Sequence, residues 1–200
     1  MGARSDIAGV ILAGGRATRL GGGDKGLLAL GGRSVLDHVI ARLAPQVAAL
    51  ALNANGDPAR FAPLGLPVLP DLTDDRPGPL AGILAAMLWA AGRGDAQVLT
   101  VAGDTPFLPV DLVVRLAAAG PFAMAESPDE AGAMRAHPTI ALWPVALADT
   151  LAESLARGEH KVGRWAQEHG ARRVPFTERP DPFFNINTPA DLHSAQARLA

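Results

Sequence analysis

Short apolar runs that end at glycine, asparagine or aspartate alternate with stretches of helical spacing along almost the whole chain. No other feature of the sequence constrains the fold as strongly. Residues 7–12 form a continuous apolar run that stops at Gly14-Gly15, the pattern of a strand buried on both faces. Ser34-x-x-Asp37 then reads as a capping box, and Leu36, Val39, Ile40 and Leu43 follow at helical spacing until Pro45 ends the helix. Residues 47–52 and 67–69 are predicted strands ending at Asn53 and near Asp71, and 79–91 is a mostly apolar helix. A fourth strand, 97–102, leads into Gly103-Asp104, and 109–119 is helical with Pro109 at its start. Further on, 122–125 and 139–143 are read as strands, 145–156 as a helix and 183–187 as a last short strand. Thr188-Pro189-Ala190-Asp191 caps a final helix.

Strands and helices in this order, with connections this long, predict a mostly parallel sheet with helices on both faces. The chain has 200 residues, no internal repeat and no linker rich enough to divide it, so residues 1–200 are expected to form a single three-layer α/β domain of Rossmann-like type. A net charge of −2 argues against a nucleic-acid surface. The absence of cysteine excludes disulfides and thiolate metal sites. No apolar segment reaches membrane-spanning length and the first residues do not read as a secretion signal, so a cytoplasmic protein without a membrane partner is expected.

In open parallel sheets ligands sit outside the carboxyl ends of the strands, and the chemistry-bearing residues follow that rule. LAGGRATRLGGGDK, residues 12–25, comes directly after the first strand. Its glycines let backbone N–H groups approach phosphate oxygens, and Arg16, Arg19 and Lys25 can neutralise a triphosphate and a leaving pyrophosphate. It is neither a Walker A loop nor a GxGxxG fingerprint, and a plain surface loop would also carry glycines. Asp104 is held at a strand end, where one carboxylate with substrate phosphates and water suits Mg²⁺; a turn or cap role before Pro109 is the alternative. Asn53 and Asp71 follow strands too, either as turn residues or as hydrogen-bonding partners for a ribose or a guanine edge. Gly78 opens the small-residue start of the 79–91 helix, where a ligand can lie against backbone. His137 reads as a structural hydrogen bonder.

Taken in order, LAGGRATRLGGGDK, DTPF, GPLAG, HPT and NINTPADL make the chain resemble the molybdenum cofactor guanylyltransferases, within the superfamily of nucleoside-diphospho-sugar transferases. The resemblance runs from Ile7 to about Leu192; Leu20 departs from it, standing where the family usually has Met. It implies transfer of GMP from GTP to the terminal phosphate of Mo-molybdopterin. The N-terminal half would bind the nucleotide and the C-terminal half the acceptor. Leu12, Ala13, Gly14 and Gly15 would contact the nucleotide through backbone, Lys25 its phosphates, and Asn53, Asp71 and Gly78 the nucleoside. Asp104 would bind Mg²⁺ and form, with Lys25 and Arg19, the catalytic set, while Asn185 and Asn187 would face the molybdopterin. Where sugar nucleotidyltransferases commonly carry a second late carboxylate, this chain has neutral Asn185 and Asn187, so the metal rests on Asp104. Molybdoenzyme apoproteins or their chaperones would be further partners. Alternatives are a CTP-dependent molybdopterin or sugar-phosphate transferase, and a non-catalytic carrier of the pterin cofactor.

Overall fold

The computed structural model describes residues 6–14, 24–72 and 78–199. Its centre is a seven-stranded sheet built from β1 (Ala8–Leu12), β4 (Leu50–Asn53), β5 (Val68–Leu69), β6 (Gln97–Ala102), β7 (Ala123–Pro128), β8 (Met134–Pro144) and β9 (Arg172–Pro175), in the order β5-β4-β1-β6-β8-β7-β9. A separate two-stranded piece, β2 (Ala29–Leu30) with β3 (Arg33–Ser34), precedes helix α1 (Val35–Leu43). The other helices are α2 (Pro79–Gly92), α3 (Leu112–Ala119), α4 (Ala148–Ala156), α5 (Val162–Glu168) and α6 (Pro189–Ala197).

The alternation of side chains along each strand explains the three layers. On β1, Val10 belongs to the apolar cluster that includes α2, α4 and α5, while its neighbour Ile11 belongs to the opposite cluster that includes α1 and α3. Val98 and Leu99 on β6 divide in the same way. Both sheet faces are thereby buried, which is why these strands read as continuous apolar runs. Helix α2 is apolar nearly all round and buried along most of its length, because it lies under the sheet with α4 against it. Ser34 and Thr188 each accept from the backbone of the residue three positions on, and Asp37 and Asp191 reach back, so the capping box expected at Ser34 is present and the cap expected at Thr188 is a capping box as well. Among the described residues no helix is long and apolar enough to cross a membrane.

The register fixes where ligand-facing residues emerge. Leu12 pairs with both Asn53 and Ala102, and Asn53 pairs with Leu69. Four parallel strands therefore end in one row, and the residues just beyond them share one edge. Beyond β6 the sheet changes character: β8 runs antiparallel to β6 and to β7. The β7–β8 register slips between Met124 and Ala125, opposite the stretch of β8 that contains Pro138. Proline offers no N–H to a ladder, and such irregularities gather beside sites.

Several boundaries differ from the sequence expectations. The strand expected at 183–187 does not form: the Ile186 N–H goes to the Asp104 carbonyl and the Asn187 N–H to the Asp191 carboxylate, so no ladder partner remains. The last strand is instead β9, on the sheet edge beside β7. Its Arg172-Arg173 pair disguised it, since charge is what edge strands carry. Helix α5 was not anticipated either. The helix expected from Pro109 starts at Leu112, and the one expected from Val145 is a 3₁₀ turn followed by α4.

Candidate active site

A cleft of about 860 Å³ opens along the row of strand ends. Leu12, Ala13 and Gly14 after β1, Asn53 after β4, Asp71 beyond β5, Gly78 at the start of α2 and Asp104 beyond β6 all line it, as do Lys25 and Asn185. Gly15, Arg16, Arg19 and Leu20 lie outside the described residues, as does Arg76.

Lys25 sits in a 3₁₀ turn, Lys25–Leu27, packed on α1. The packing depends on Gly26, where a Cβ would stand 2.6 Å from Leu36 Cγ. From that turn the Lys25 ammonium reaches to 3.8 Å from Asp104 Oδ2 and donates to Asn187 Oδ1 at 2.5 Å. Both members of the ion pair are largely covered, with side chains 19% and 22% exposed. Burial pushes the Asp104 carboxyl above the ordinary carboxylate value, against the pull of the Lys25 charge. The turn carrying Asp104 is anchored by Gly103 N–H to the Leu12 carbonyl at 3.0 Å and by Thr105 Oγ1 to the Ala102 carbonyl at 2.8 Å. Helix α3 has Asp111, not Asp104, at its cap position. The capping alternative for Asp104 is therefore excluded.

Asn53 and Asp71 form one network. Asn53 Nδ2 donates to the Leu69 carbonyl at 3.1 Å and to Asp71 Oδ1 at 2.9 Å. Asn55, which the sequence reading passed over, donates to Asp71 Oδ2 at 2.8 Å and accepts from the Asp71 N–H at 2.8 Å. The Asn53 side chain also fits against α2, because Gly82 has no Cβ; one added there would lie 2.1 Å from Asn53 Oδ1. Asn53 is only 5% exposed, so the whole arrangement is held by packing as well as hydrogen bonds.

Three more cleft residues were not anticipated. Arg60 binds Asp24 Oδ2 at 2.7 Å and the Asn55 carbonyl at 2.5 Å, bringing a cation to the Asn53–Asp71 end of the cleft. His137 and Thr139 enter from β8. An antiparallel strand brings its early residues to the edge where its neighbours end, so a search confined to residues after strands misses them. His137 Nε2 pairs with Ser127 Oγ at 2.8 Å, and its ring packs on Phe183 at 4.8 Å. Burial pushes its pKa below the ordinary value, with Asp181 acting weakly the other way. The structural hydrogen bond expected of His137 is present, but so is a place in the cleft wall.

Among the described residues no group of three or more His, Asp or Glu is placed to hold an ion. The fit to Mg²⁺ rests on Asp104: a single hard oxygen donor, beside a lysine, suits an ion that takes most of its ligands from phosphates and water.

Residues 9–174 match the model of the MobA-like NTP transferase domain. The chain belongs to this family. Among MobA-like relatives, one from Mesorhizobium japonicum named molybdenum cofactor guanylyltransferase is 51% identical, over 98% of this chain and 97% of its own. A protein of the same name from Acidiphilium cryptum is 50% identical over 96% and 95%. The fold is shared with molybdopterin-guanine dinucleotide biosynthesis protein A from Archaeoglobus fulgidus (TM-score 0.70, 23% identity, covering 96% of this chain and 98% of that one). It is shared also with 4-diphosphocytidyl-2C-methyl-D-erythritol synthase from Anaerococcus prevotii (TM-score 0.73, 15% identity, 96% and 97%). The MobA-like assignment agrees with the resemblance read from the motifs.

Proposed function

We propose that this protein transfers GMP from GTP to the terminal phosphate of Mo-molybdopterin, releasing pyrophosphate and giving the guanine dinucleotide cofactor. The observation that carries this reading is the meeting of Lys25 and Asp104, 3.8 Å apart, in the same cleft as the Asn53–Asp71 network. Relatives near 50% identity that carry the guanylyltransferase name support it.

Asn53, Asn55 and Asp71 form the nucleoside end of the cleft, beside Gly78. Asp71 has lone pairs beyond those taken by the two asparagines, and a guanine N1–H and 2-amino group are the donors that match them. Leu12, Ala13, Gly14 and Gly15 supply backbone against the nucleotide, and Lys25 and Arg19 counter phosphate charge. The acceptor end is lined by His137, Thr139 and Asn185. In the reaction, an oxygen of the acceptor phosphate bonds to the α-phosphorus of GTP. The bond from that phosphorus to the β-bridging oxygen breaks, and pyrophosphate leaves with the electron pair.

The attacking phosphate is already an anion, so no general base is required; positioning and charge neutralisation supply the catalysis. Asp104 would hold Mg²⁺, which when bound neutralises phosphate oxygens. The reaction belongs in the cytoplasm, and molybdoenzyme apoproteins or their chaperones would receive the product. Pyrophosphate release, measured with each Mg·NTP in the presence of Mo-molybdopterin, tests the reading. Release with GTP alone is expected. Equal release with CTP removes the guanine assignment, and no release with any nucleotide removes the enzyme.

A further inference from the structure

An ammonium at the end of four methylenes has to be immobilised before it can act as a fixed charge, and that ordering costs conformational entropy. Lys25 is held by its own protein neighbours. Its Nζ donates to Asn187 Oδ1 at 2.5 Å, a contact between positions 162 residues apart in the chain. Asn187 is itself fixed through its backbone: its N–H donates to Asp191 Oδ2 at 2.9 Å, as does the Thr188 N–H at 2.8 Å, while Asp191 N–H returns to Thr188 Oγ1 at 3.2 Å. One residue earlier, the Ile186 N–H is bound to the Asp104 carbonyl at 3.0 Å. A single three-residue segment at the start of α6 therefore secures both the lysine and the backbone of the carboxylate.

We infer that Asn187 is a positioning residue for the phosphate-binding lysine. The inference rests on the proposed role of Lys25 toward GTP phosphates. The two asparagines of Asn185-Ile186-Asn187 then have different tasks. Asn185 lines the cleft, whereas Asn187 is not among the lining residues and spends its amide oxygen on Lys25. The residue type suits the task. An amide oxygen fixes the ammonium without cancelling its charge, whereas a carboxylate at position 187 would stand as a second anion beside the triphosphate. Pre-ordering of this kind raises affinity by removing a cost otherwise met on binding.

The test is a binding cycle on the purified protein, with Mg·GTP and with guanosine, which lacks phosphates. Wild type, Lys25→Ala, Asn187→Ala and the double variant are compared, with Asn187→Leu as a second single variant should Asn187→Ala melt early. Asn187→Ala is expected to weaken Mg·GTP about tenfold, the scale of one hydrogen bond to a charged group, and to leave guanosine unchanged. In the Lys25→Ala background the same substitution should change Mg·GTP affinity less than about twofold, as expected of a residue that acts through another. An equal loss in both backgrounds, or an equal loss for guanosine, overturns the inference. A wild type that binds Mg·CTP as well as Mg·GTP would count against the guanine reading, while the cycle would still report on Asn187.

Discussion

The two walls of the cleft are built differently. On the side proposed to take the nucleoside, β5, β4, β1 and β6 are parallel, end in one row, and hand Asn53, Asp71 and Asp104 to the same edge. On the side proposed to take the acceptor, antiparallel β8 with its slipped register and the non-repetitive segment 183–187 form the wall. In the first wall position follows from register, and side chains lock to one another through the Asn53–Asp71–Asn55 network. In the second, position depends on separate long-range contacts, such as Phe183 against Phe176 and Ile186 N–H on the Asp104 carbonyl. In the proposed reaction the fixed wall would take the nucleotide and the irregular one the acceptor.

Substitution can break this contrast, most severely where the walls meet. Asp104→Asn should stay folded yet lose about a hundredfold or more in turnover, the scale seen when a charge-stabilising group is removed from an active site. Its melting temperature should be no lower than wild type at neutral pH, because burial disfavours the ionised carboxyl that the change removes. Normal turnover with an unchanged Mg²⁺ titration would leave the metal without its ligand.

Gly82→Ala probes how tightly the nucleoside wall is packed. A Cβ 2.1 Å from Asn53 Oδ1 must displace Asn53 or α2, so a stability loss of about 1–3 kcal/mol is expected, with weaker Mg·GTP binding. A melting curve and titration equal to wild type would show that this wall gives way easily. Asp71→Asn sharpens the same point more gently: it keeps the shape but exchanges an acceptor for a donor. The ratio of kcat/KM for GTP over CTP should fall about tenfold, and an unchanged ratio would move base recognition elsewhere.

The smallest effect belongs to the acceptor wall. Burial holds the folded pKa of His137 below the ordinary 6.5, so the unfolded chain takes up a proton first as the pH falls. The stability associated with neutral His137 is complete above that value and is lost as the pH drops toward the lowered folded one. His137→Asn should flatten this part of the curve, measured as melting temperature between about pH 7 and about pH 5. Parallel curves for the two proteins would contradict the burial argument.

The same asymmetry explains what could be read from the sequence. Apolar runs ending in Gly14, Asn53, Asp71 and Asp104 revealed the parallel strands and their ligand edge together, because one rule links strand, direction and site. The capping box at Ser34 and the cap at Thr188 were legible since they are local. His137 was noticed only as a hydrogen bonder, because the direction of β8 has no local signature. Arg60 and Asn55 were hidden in a turn-like stretch, and the Lys25–Asn187 bond joins segments whose spacing carries no signal.

That last bond has a consequence for synthesis. Asn187 is made 162 residues after Lys25, so the lysine's partner does not exist until that stretch has been synthesised. Contacts of such separation form late, after the intervening loop has closed. A nascent or C-terminally clipped chain, even with β1, β4 and β6 assembled, would hold a lysine that faces Asp104 but lacks its Asn187 tether, and with it a weaker grip on nucleotide. Competence to bind would thus report that synthesis has passed α6.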